Sequence, residues 1–539
     1  MPIERGGFLT IVEDELRDGV RQSASESVRR YSLLQNVHLF NRDAITKDLG
    51  IRRMHSSDIA SGADVLGGFD ARFRNGAQKV VVVNASDAHL YNTTTKQFVA
   101  QSQSLANARP DQFMFADKML LLNGTNFKSM TSSGTWANVT GSPPAAKFGT
   151  VHANRAIVSG VSGSEHLFYP SGINDENSWD ATLAVVVEGS EGSSGITNLG
   201  RLGSTMIVQT SRSTHSYTLS SENPRDWDNT DVAGTVGNVH HRTWVEVDTA
   251  AQGEDQAAAF FWSTDGPCLI TMPSHGGRPS VVSLMDPIMR STRGSDYQNF
   301  PALNVGRFAN IESTYVPELG QVRFGVAKKA SAENDLILWI DVESAIAFSD
   351  GEIEYPYWGL RKSDELGYFP CDVLFTAQVD EAGVPSTTGM DRCIGGRNGV
   401  FFEMDAPGTF DDNGQSISFD VRRRGYDGSD EGVRVLVKAI KHTRVRATQV
   451  GGGELYVDLI ADGGNDSGTA TLNLDAGLTT WDGSSWDGGT WNDGALRTLR
   501  GDYGVLGERF EVRLYDNGNI SEPFQLDGWQ LEGFLEDRR

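Results

Sequence analysis

Cysteine is scarce in this sequence of 539 residues, which excludes one common way of stabilising a fold. The three cysteines are Cys268, Cys371 and Cys393, and no two of them stand in a C-x-x-C spacing. An odd number of cysteines cannot form a fully paired disulfide framework. The sequence therefore predicts a protein that folds in a reducing compartment.

Long hydrophobic runs are also missing. Residues 257–262 and 183–187 are among the longest, whereas a helix needs about 20 apolar residues to cross a bilayer. Residues 1–7 do not combine a basic segment with an apolar one, and acidic residues follow at 13–15. We therefore expect neither a membrane segment nor a secretion signal.

Positive charge is in short supply. The chain has 47 Lys and Arg against 71 Asp and Glu, a net charge of −24. Tight binding of nucleic-acid phosphates depends on Lys and Arg that release counterions, so this balance argues against an ordinary nucleic-acid-binding protein.

Familiar catalytic motifs are absent as well. The sequence contains no G-x-x-x-x-G-K-[ST] phosphate loop, no H-E-x-x-H zinc motif and no G-x-S-x-G nucleophile elbow. It predicts a protein that is not an enzyme, and it assigns no catalytic, metal-binding or cofactor-binding residue.

Glycine, by contrast, is plentiful at 60 residues, and it accompanies a recurring pattern of an apolar run, a turn and a second run. Each such unit is typical of a β-hairpin. The units begin at residues 80, 119, 156, 205, 259, 336 and 392. Their shorter intervals, 37 to 54 residues, are close to the ~40–50 residues of a propeller blade. The pattern predicts an all-β propeller of six or seven degenerate blades, and stacked β-sandwiches are the alternative.

Three regions follow from this pattern. Residues 1–60 are interpreted as an N-terminal arm with a helix at 25–34, and residues 61–410 as the propeller with an inserted loop at about 276–310. Residues 411–539 are interpreted as a β-sandwich-like domain. Its tail is rich in Trp, Asp and Gly, with tryptophans at 481, 486 and 491.

A basic strand in the last region has two interpretations. One face carries Arg434, Lys438, His442, Arg444 and Arg446, which suggests contact with nucleic acid. The next strand carries acidic residues at 454, 458 and 462. A hairpin pairing residue 449 with 455 would place 446 opposite 458 and 442 opposite 462. Such a ladder of opposite charges explains much of the pattern without DNA, and we favour it.

Three weaker patterns concern ions and turns. The pair His240-His241 is a poor metal candidate if it lies on a strand, because neighbouring side chains then point to opposite faces. Residues 462–466 space oxygen ligands as calcium loops do but lack a distal bidentate Glu, so a hairpin turn is the simpler interpretation. Residues 485–491 resemble the Asp-box turn of sialidase propellers, which is a folding element.

Four segments, in this order along the chain, resemble landmarks of one protein family. They are Gln35-Asn36-Val37 with residues 49–54, residues 168–179, Gly234-Thr-Val-Gly237 through 243 with 260–266, and residues 410–417. In these segments the chain resembles the tail hub, or nozzle, proteins of short-tailed bacteriophages (the tail tubular protein B type). The N-terminal fifty residues and the tail rich in Trp, Asp and Gly depart from that resemblance.

The resemblance implies a structural virion protein, assembled in the host cytoplasm. Its subunits would form a ring, a homohexamer, below the portal and adaptor proteins of the tail. Genome DNA would pass through the channel during ejection without specific binding, and tail fibres or a tip would attach outside. The negative charge suggests a physical role, because an acidic lumen would repel the duplex from the wall.

Two other functions remain open at this stage. A glycan-binding or glycan-cleaving propeller similar to a sialidase would need three arginines that converge on a carboxylate. The available arginines are Arg155, Arg201, Arg212, Arg242 and Arg323. A scaffold of the WD-repeat kind is disfavoured because Trp-Asp pairs do not recur at the blade period.

Overall fold

The fold is known from a computed structural model. The structure describes residues 8–13, 31–40, 44–59, 62, 64–187, 195–247, 249, 256–273, 277–284, 302–353, 356–363, 369–426, 438–449, 453–461, 464–474, 496–507, 510–518, 520 and 524–535. Across these residues the chain is almost entirely β-structure, and α1 (Val342–Ser349) is the one α-helix.

Five short strands precede the first blade. They are β1 (Phe8–Glu13), β2 (Tyr31–Gln35), β3 (Val37–Phe40), β4 (Ala44–Lys47) and β5 (Arg52–Arg53). The helix predicted over residues 25–34 is wrong where the structure describes it, because Tyr31–Gln35 is a strand. Residues 25–30 lie outside the described residues. Leu33 and Leu34 are both buried, so this strand joins the core.

Blades 1 to 4 are consecutive antiparallel sheets of at least four strands. Blade 1 is β6 (Val65–Arg72), β7 (Gln78–Asn84), β8 (Ala88–Asn92) and β9 (Gln97–Ala100). Blade 2 is β10 (Asp111–Phe115), β11 (Lys118–Leu122), β12 (Phe127–Met130) and β13 (Trp136–Asn138). Blade 3 is β14 (Phe148–His152), β15 (Arg155–Ser159), β16 (Leu167–Gly172) and β17 (Asp175–Trp179), with β18 (Val185–Val186) paired to β16. Blade 4 is β19 (Ile196–Leu202), β20 (Thr205–Thr210), β21 (Thr214–Thr218) and β22 (Asp228–Ala233).

Blades 5 to 7 complete the disc. Blade 5 is β23 (Val245–Val247), β24 (Gln256–Ser263), β25 (Gly266–Pro273) and β26 (Ser280–Ser283). Blade 6 is β27 (Glu312–Val316), β28 (Gln321–Val326), β29 (Leu336–Asp341) and β30 (Trp358–Arg361). Blade 7 takes β31 (Val373–Val379), β32 (Met390–Arg397) and β33 (Val400–Glu403), and its fourth strand is β5. Short 3-10 helices are Ala181–Leu183, Pro224–Asp226, His241–Thr243, Val305–Asn310 and Pro317–Leu319.

The first strands of the seven blades form a closed ring. Each contacts the first strand of the next blade, and β31 of blade 7 returns to β6 of blade 1. Blade 7 is completed by a strand from before the first blade, with Arg52 opposite Glu403 and Arg53 opposite Phe402. The predicted propeller of six or seven blades is therefore confirmed, with seven blades in the described part of the chain.

The blades pack through apolar residues of their middle strands. Because successive side chains of a strand point to opposite faces, each middle strand supplies two interfaces. In β11, Met119 and Leu121 pack towards blade 1, whereas Leu120 and Leu122 pack towards blade 3. This arrangement explains why the sequence signal is a continuous apolar run rather than an alternating one.

The C-terminal region forms a two-sheet sandwich, as predicted. Its strands are β34 (Asp411–Asp412), β35 (Gln415–Ser416), β36 (Asp420–Tyr426), β37 (Lys438–Gln449), β38 (Glu454–Ala461), β39 (Asp466–Asn473), β40 (Leu496–Gly507), β41 (Phe510–Tyr515) and β42 (Phe524–Leu535). One sheet has the order β3-β4-β42-β37-β40, with β1 also paired to β42. The other contains β36, β41, β38 and β39.

Strand pairing crosses both expected domain boundaries. A nine-stranded sheet runs β27-β28-β29-β30-β2-β36-β41-β38-β39, from blade 6 through the N-terminal strand β2 into the C-terminal sandwich. The described part of the N-terminal region is therefore built into both larger parts. The expected inserted loop at 276–310 contains β26 and a 3-10 helix, and its residues 285–301 lie outside the described residues.

The predicted hairpin of the basic strand is wrong. Strand β37 pairs with β40 and β42, while β38 pairs with β39 and β41, so the two strands belong to different sheets. A bulge between Ile440 and His442 also shifts the alternation, and Ile440, Thr443 and Val445 are all buried. The acidic partner of His442 is Asp502 on β40, at 2.7 Å between Nδ1 and Oδ1.

Candidate functional site at the centre of the propeller

A cavity of about 370 Å³ lies where the first strands of the blades converge. Blades 1, 2, 5, 6 and 7 contribute to its lining. The lining segments are 67–70, 110–112, 241–242 with 244–246, 312–315 and 374–376. Loops and first strands deliver these residues, so the site draws on parts of the chain that are far apart in sequence.

One glutamate at this centre binds two arginines. Oε1 of Glu312 accepts a hydrogen bond from Arg109 Nη1 at 2.6 Å and another from Nε of Arg242. Glu312 begins β27, Arg109 precedes β10, and Arg242 lies in the 3-10 helix before β23. Burial lowers the pKa of Arg242, and Glu312 opposes that shift. These ion pairs fix blades 2, 5 and 6 relative to one another.

Asp111 is a half-buried aspartate close enough to Arg242 and Glu312 to be influenced by their charges. Its Oδ2 accepts from the Gly149 backbone N–H at 2.8 Å, and its Oδ1 accepts from that of Gln112 at 2.9 Å. Burial raises the pKa of Asp111 to about 6, although the two N–H groups and Arg242 favour its ionised form. Ionisation of this carboxyl is therefore unfavourable relative to an exposed aspartate.

The two adjacent histidines lie side by side here. They belong to the start of a 3-10 helix rather than to a strand, and their ring centroids are 4.1 Å apart. The assumption that they point to opposite faces is therefore wrong. Burial lowers the pKa of both rings well below the ordinary value, with further lowering from Arg242, so both are neutral at pH 7.

His241 has no hydrogen-bond partner on either ring nitrogen, although it is only 8% exposed. It stacks on Phe148 with ring centroids 4.9 Å apart. The described residues contain no cluster of three or more His, Cys, Asp or Glu arranged to hold a metal ion. The calcium-like segment 462–466 and the Asp-box-like segment 485–491 lie wholly or partly outside those residues.

The five arginines considered for a sialidase-like cluster do not meet at this cavity. Arg155 donates to the Ser171 carbonyl oxygen at 2.6 Å, and Arg323 pairs with Asp405 at 2.5 Å. Arg201 pairs with Glu246, and Arg212 lies in the turn between β20 and β21. Only Arg242 lines the cavity, so these positions do not form a three-arginine carboxylate site.

Sequence reasoning missed Arg109, Asp111 and Glu312. Each lies at or next to the start of a first strand, outside the apolar runs that mark the hairpins. No spacing along the chain connects them, because blade closure alone brings residues 109 and 312 together. The only local indication of these site residues in the sequence was a charged residue at or near the start of a short strand.

A second buried group of charges lies where the propeller meets the C-terminal sandwich. Arg361, at the end of β30, is 3% exposed and donates from Nη2 to Asp412 Oδ1 at 2.6 Å. Its Nε lies 3.7 Å from Asp48 Oδ2. Burial opposes ionisation of nearby Asp405, but Arg323 and Arg361 outweigh burial and hold its pKa below the ordinary value.

Lys47 extends this junction into the sandwich. Its Nζ donates to Asp516 Oδ2 at 2.7 Å and to the Ile520 carbonyl oxygen at 2.6 Å. Burial lowers the pKa of Lys47, and Asp516 opposes the shift. We call the group Lys47, Asp48, Arg323, Arg361, Asp405, Asp412 and Asp516 the junction cluster. It joins the N-terminal strands, blade 6, the segment after blade 7 and the sandwich.

Comparison with protein-family models and with curated proteins gives no match.

Solved structures do resemble the chain at low identity. The extracellular domain of a one-component system from B. thetaiotaomicron is 7% identical over 79% of this chain, with a TM-score of 0.40, and this chain spans 46% of that structure. The N-terminal domain of Nup159 is 11% identical over 69% of this chain and 98% of its own, with a TM-score of 0.37. The Dos1 propeller is 8% identical over 73% of this chain and 95% of its own, with a TM-score of 0.34.

These similarities carry no functional argument. The propeller assignment stands on the seven sheets and their closure. Among the described helices, none has the length and apolar character that a membrane-spanning helix requires.

Proposed function

We propose that this chain is a structural subunit of a short-tailed bacteriophage tail, the nozzle or tail hub. In this proposal its copies form a ring, a hexamer, below the portal and adaptor. The ring guides genome DNA during ejection and anchors tail fibres or a tip. The subunit contributes shape and rigidity, and it performs no bond-making or bond-breaking step.

One observation carries the proposal: the propeller and the C-terminal sandwich share a continuous sheet. Strand β2 joins β30 of blade 6 on one side, through Gln35 and Leu360, and β36 of the sandwich on the other. A flexible linker would let two domains move independently. A shared nine-stranded sheet instead transmits force between them, as a rigid building block requires.

The junction cluster supports the same conclusion. Buried ion pairs are costly to separate, because loss of one partner leaves an uncompensated charge in a low dielectric. Arg361 connects blade 6 to Asp48 and Asp412, and Lys47 connects the N-terminal strands to Asp516 of the sandwich. Separation of the two parts would expose or orphan these charges, so the junction resists bending.

The net charge of −24 fits a conduit. A surface that neutralised phosphates would grip the DNA, whereas an acidic wall repels it over about one Debye length, roughly 10 Å at 0.1 M salt. This part of the proposal concerns the average charge of the chain and assigns no residue to the channel.

Mass measurement of the purified chain tests the proposal. Native mass spectrometry and light scattering should detect a ring of fixed subunit number, either alone or after addition of the adaptor protein from the same phage. Electron microscopy of that species should show a ring with a central channel. A chain that stays monomeric beside its adaptor and portal would contradict the proposal.

A further inference from the structure

The central cavity is large enough to hold a small molecule. At about 370 Å³ it falls within the range of about 300–1,000 Å³ that is usual for small-molecule sites. Glu246 at its edge is 39% exposed, so solvent reaches the cavity on that side.

Gln112 and His241 at the cavity have unmet hydrogen-bonding capacity. Gln112 Nε2 is buried without an acceptor, and both ring nitrogens of His241 lack a partner. A neutral histidine offers one donor and one acceptor, and the amide nitrogen offers donors. Buried polar groups are nearly always satisfied by protein, water or a ligand, and Gln112 and His241 both line this one cavity.

The charges at the cavity are already balanced. The lining carboxylates each have a cationic partner: Glu312 has Arg109 and Arg242, Glu246 has Arg201, and Asp70 has Arg72 at 2.8 Å. Asp111 is stabilised by two backbone N–H groups and the nearby Arg242. A charged ligand would therefore meet no unpaired opposite charge.

The remaining walls are aromatic or hydroxylic. Phe69, Trp244 and Phe375 line the cavity, together with the hydroxyls of Thr314 and Thr376, which lie 2.7 Å apart. Aromatic faces pack against the C–H face of a pyranose ring. Hydroxyls, amides and a neutral imidazole pair with sugar hydroxyls, which both donate and accept.

From these features we propose that the central cavity is a binding site for a neutral, hydroxyl-rich ligand of monosaccharide size. His241 and Gln112 bind its hydroxyls, and the aromatic side chains of the lining contact its ring. This site is independent of ring assembly and stands or falls separately from the proposed tail function.

Calorimetric titration with neutral sugars tests the site. The probes are methyl glucoside, methyl galactoside and N-acetylglucosamine, with N-acetylneuraminate as the anionic comparison. At least one neutral sugar should bind saturably with a Kd of about 1 mM or below, and the anionic sugar should bind at least about tenfold more weakly. Absence of binding by all three neutral sugars would overturn the proposal, as would preference for the anionic one.

Two variants separate this site from adventitious binding. Gln112→Leu and His241→Phe should each weaken the binding by about tenfold or more, the effect of about 1.4 kcal/mol. Gln415→Leu, at an exposed position of the sandwich, is the matched control and should bind as the wild type does. Equal binding by Gln112→Leu and the control would overturn the proposal even if His241→Phe fails to fold. The mass of the assembled chain should not change in any of these variants.

Discussion

The first four blades and the junction between propeller and sandwich solve the same packing problem differently. Blades 1 to 4 follow one another in sequence, and neighbouring sheets meet through apolar side chains such as Leu121 and Val158. At the junction, strands separated by hundreds of residues pair, and a group of buried charges lies between them. Blade 7 shares this second character, because its last strand comes from residues 52–53.

This contrast shows which kinds of contact permit only one arrangement of the strands. Apolar contacts between blades are non-directional and tolerate small adjustments of geometry. Strand pairing and buried ion pairs permit few arrangements, since a wrong register leaves charges and backbone groups unsatisfied. The repeated blades build the disc, the pairing of β5 with β33 completes blade 7, and the junction determines where the sandwich attaches.

The largest effect should come from breaking the junction cluster. Arg361→Leu leaves Asp412 and Asp48 without their buried cation, and we expect a loss of about 3–5 kcal/mol in the free energy of unfolding. Urea denaturation measures this loss. The control is Arg53→Leu, whose partner Asp58 is 47% exposed, and it should cost less than about 1 kcal/mol. Equal losses of unfolding free energy in the two variants would contradict the claim that the buried ion pairs of the junction stabilise the fold more than an exposed ion pair does.

A smaller loss should follow from a methyl group at Gly50. A Cβ there would lie 2.0 Å from the Asp411 carbonyl oxygen, where the N-terminal segment runs beside the segment after blade 7. The backbones would have to separate, and we expect Gly50→Ala to cost about 1–3 kcal/mol in thermal and urea denaturation. Gly504→Ala, with no atom within 4 Å of its added Cβ, should be neutral. A stable Gly50→Ala variant would contradict the close approach.

The pH dependence of stability should differ between Asp111 at the centre of the propeller and Asp405 in the junction cluster, because their pKa values are shifted in opposite directions. The pKa of Asp111 is about 6 in the folded state and about 3.9 in the unfolded state, so the folded state binds this proton more tightly. Stability from this group rises as pH falls through 6 and stops changing below about 4. From pH 7 to 5, the wild type should gain about 1 kcal/mol relative to Asp111→Asn.

Urea denaturation of both proteins at the two pH values measures that difference, and other titrating groups cancel between them. Asp405 in the junction cluster has a lowered pKa, so its stabilisation is lost only as pH falls below the ordinary range. The stability difference between Asp405→Asn and the wild type should therefore change less from pH 7 to 5 than the difference for Asp111→Asn does. An equal or larger change for Asp405→Asn, or no change for Asp111→Asn, would contradict these pKa directions.

The smallest effect on stability should come from replacing an exposed polar residue of the basic strand. His442 pairs with Asp502, which is 76% exposed, and solvent screens such a pair strongly. His442→Gln should leave the melting temperature unchanged within measurement. A clear decrease would show that the contact between His442 and Asp502 stabilises the fold more than its exposure allows.

The sequence predicted the repeated part of this fold better than its closure. Continuous apolar runs such as residues 80–83 identified the middle strands of the blades, because each strand buries both faces. In blade 6 the run at 336 is the third strand rather than the second, which explains the long interval before it. These signals are local, so a single sequence reveals them.

The contacts that close the ring and the residues of the central site could not be predicted from local sequence patterns. The short strand Arg52–Arg53 has no apolar pattern, and its partner lies about 350 residues later. The basic strand had a plausible acidic neighbour in sequence, yet tertiary packing placed the two in opposite sheets. Arg109 and Glu312 likewise become neighbours only after all seven blades have closed.

Calorimetric unfolding of the full chain tests most directly the claim that propeller and sandwich form one rigid unit. Chains of this size with separable domains usually unfold in several steps. The shared sheet and the junction cluster predict one transition, with a calorimetric enthalpy equal to the van't Hoff enthalpy. Two well-separated transitions, with the propeller persisting after the sandwich has melted, would contradict the account.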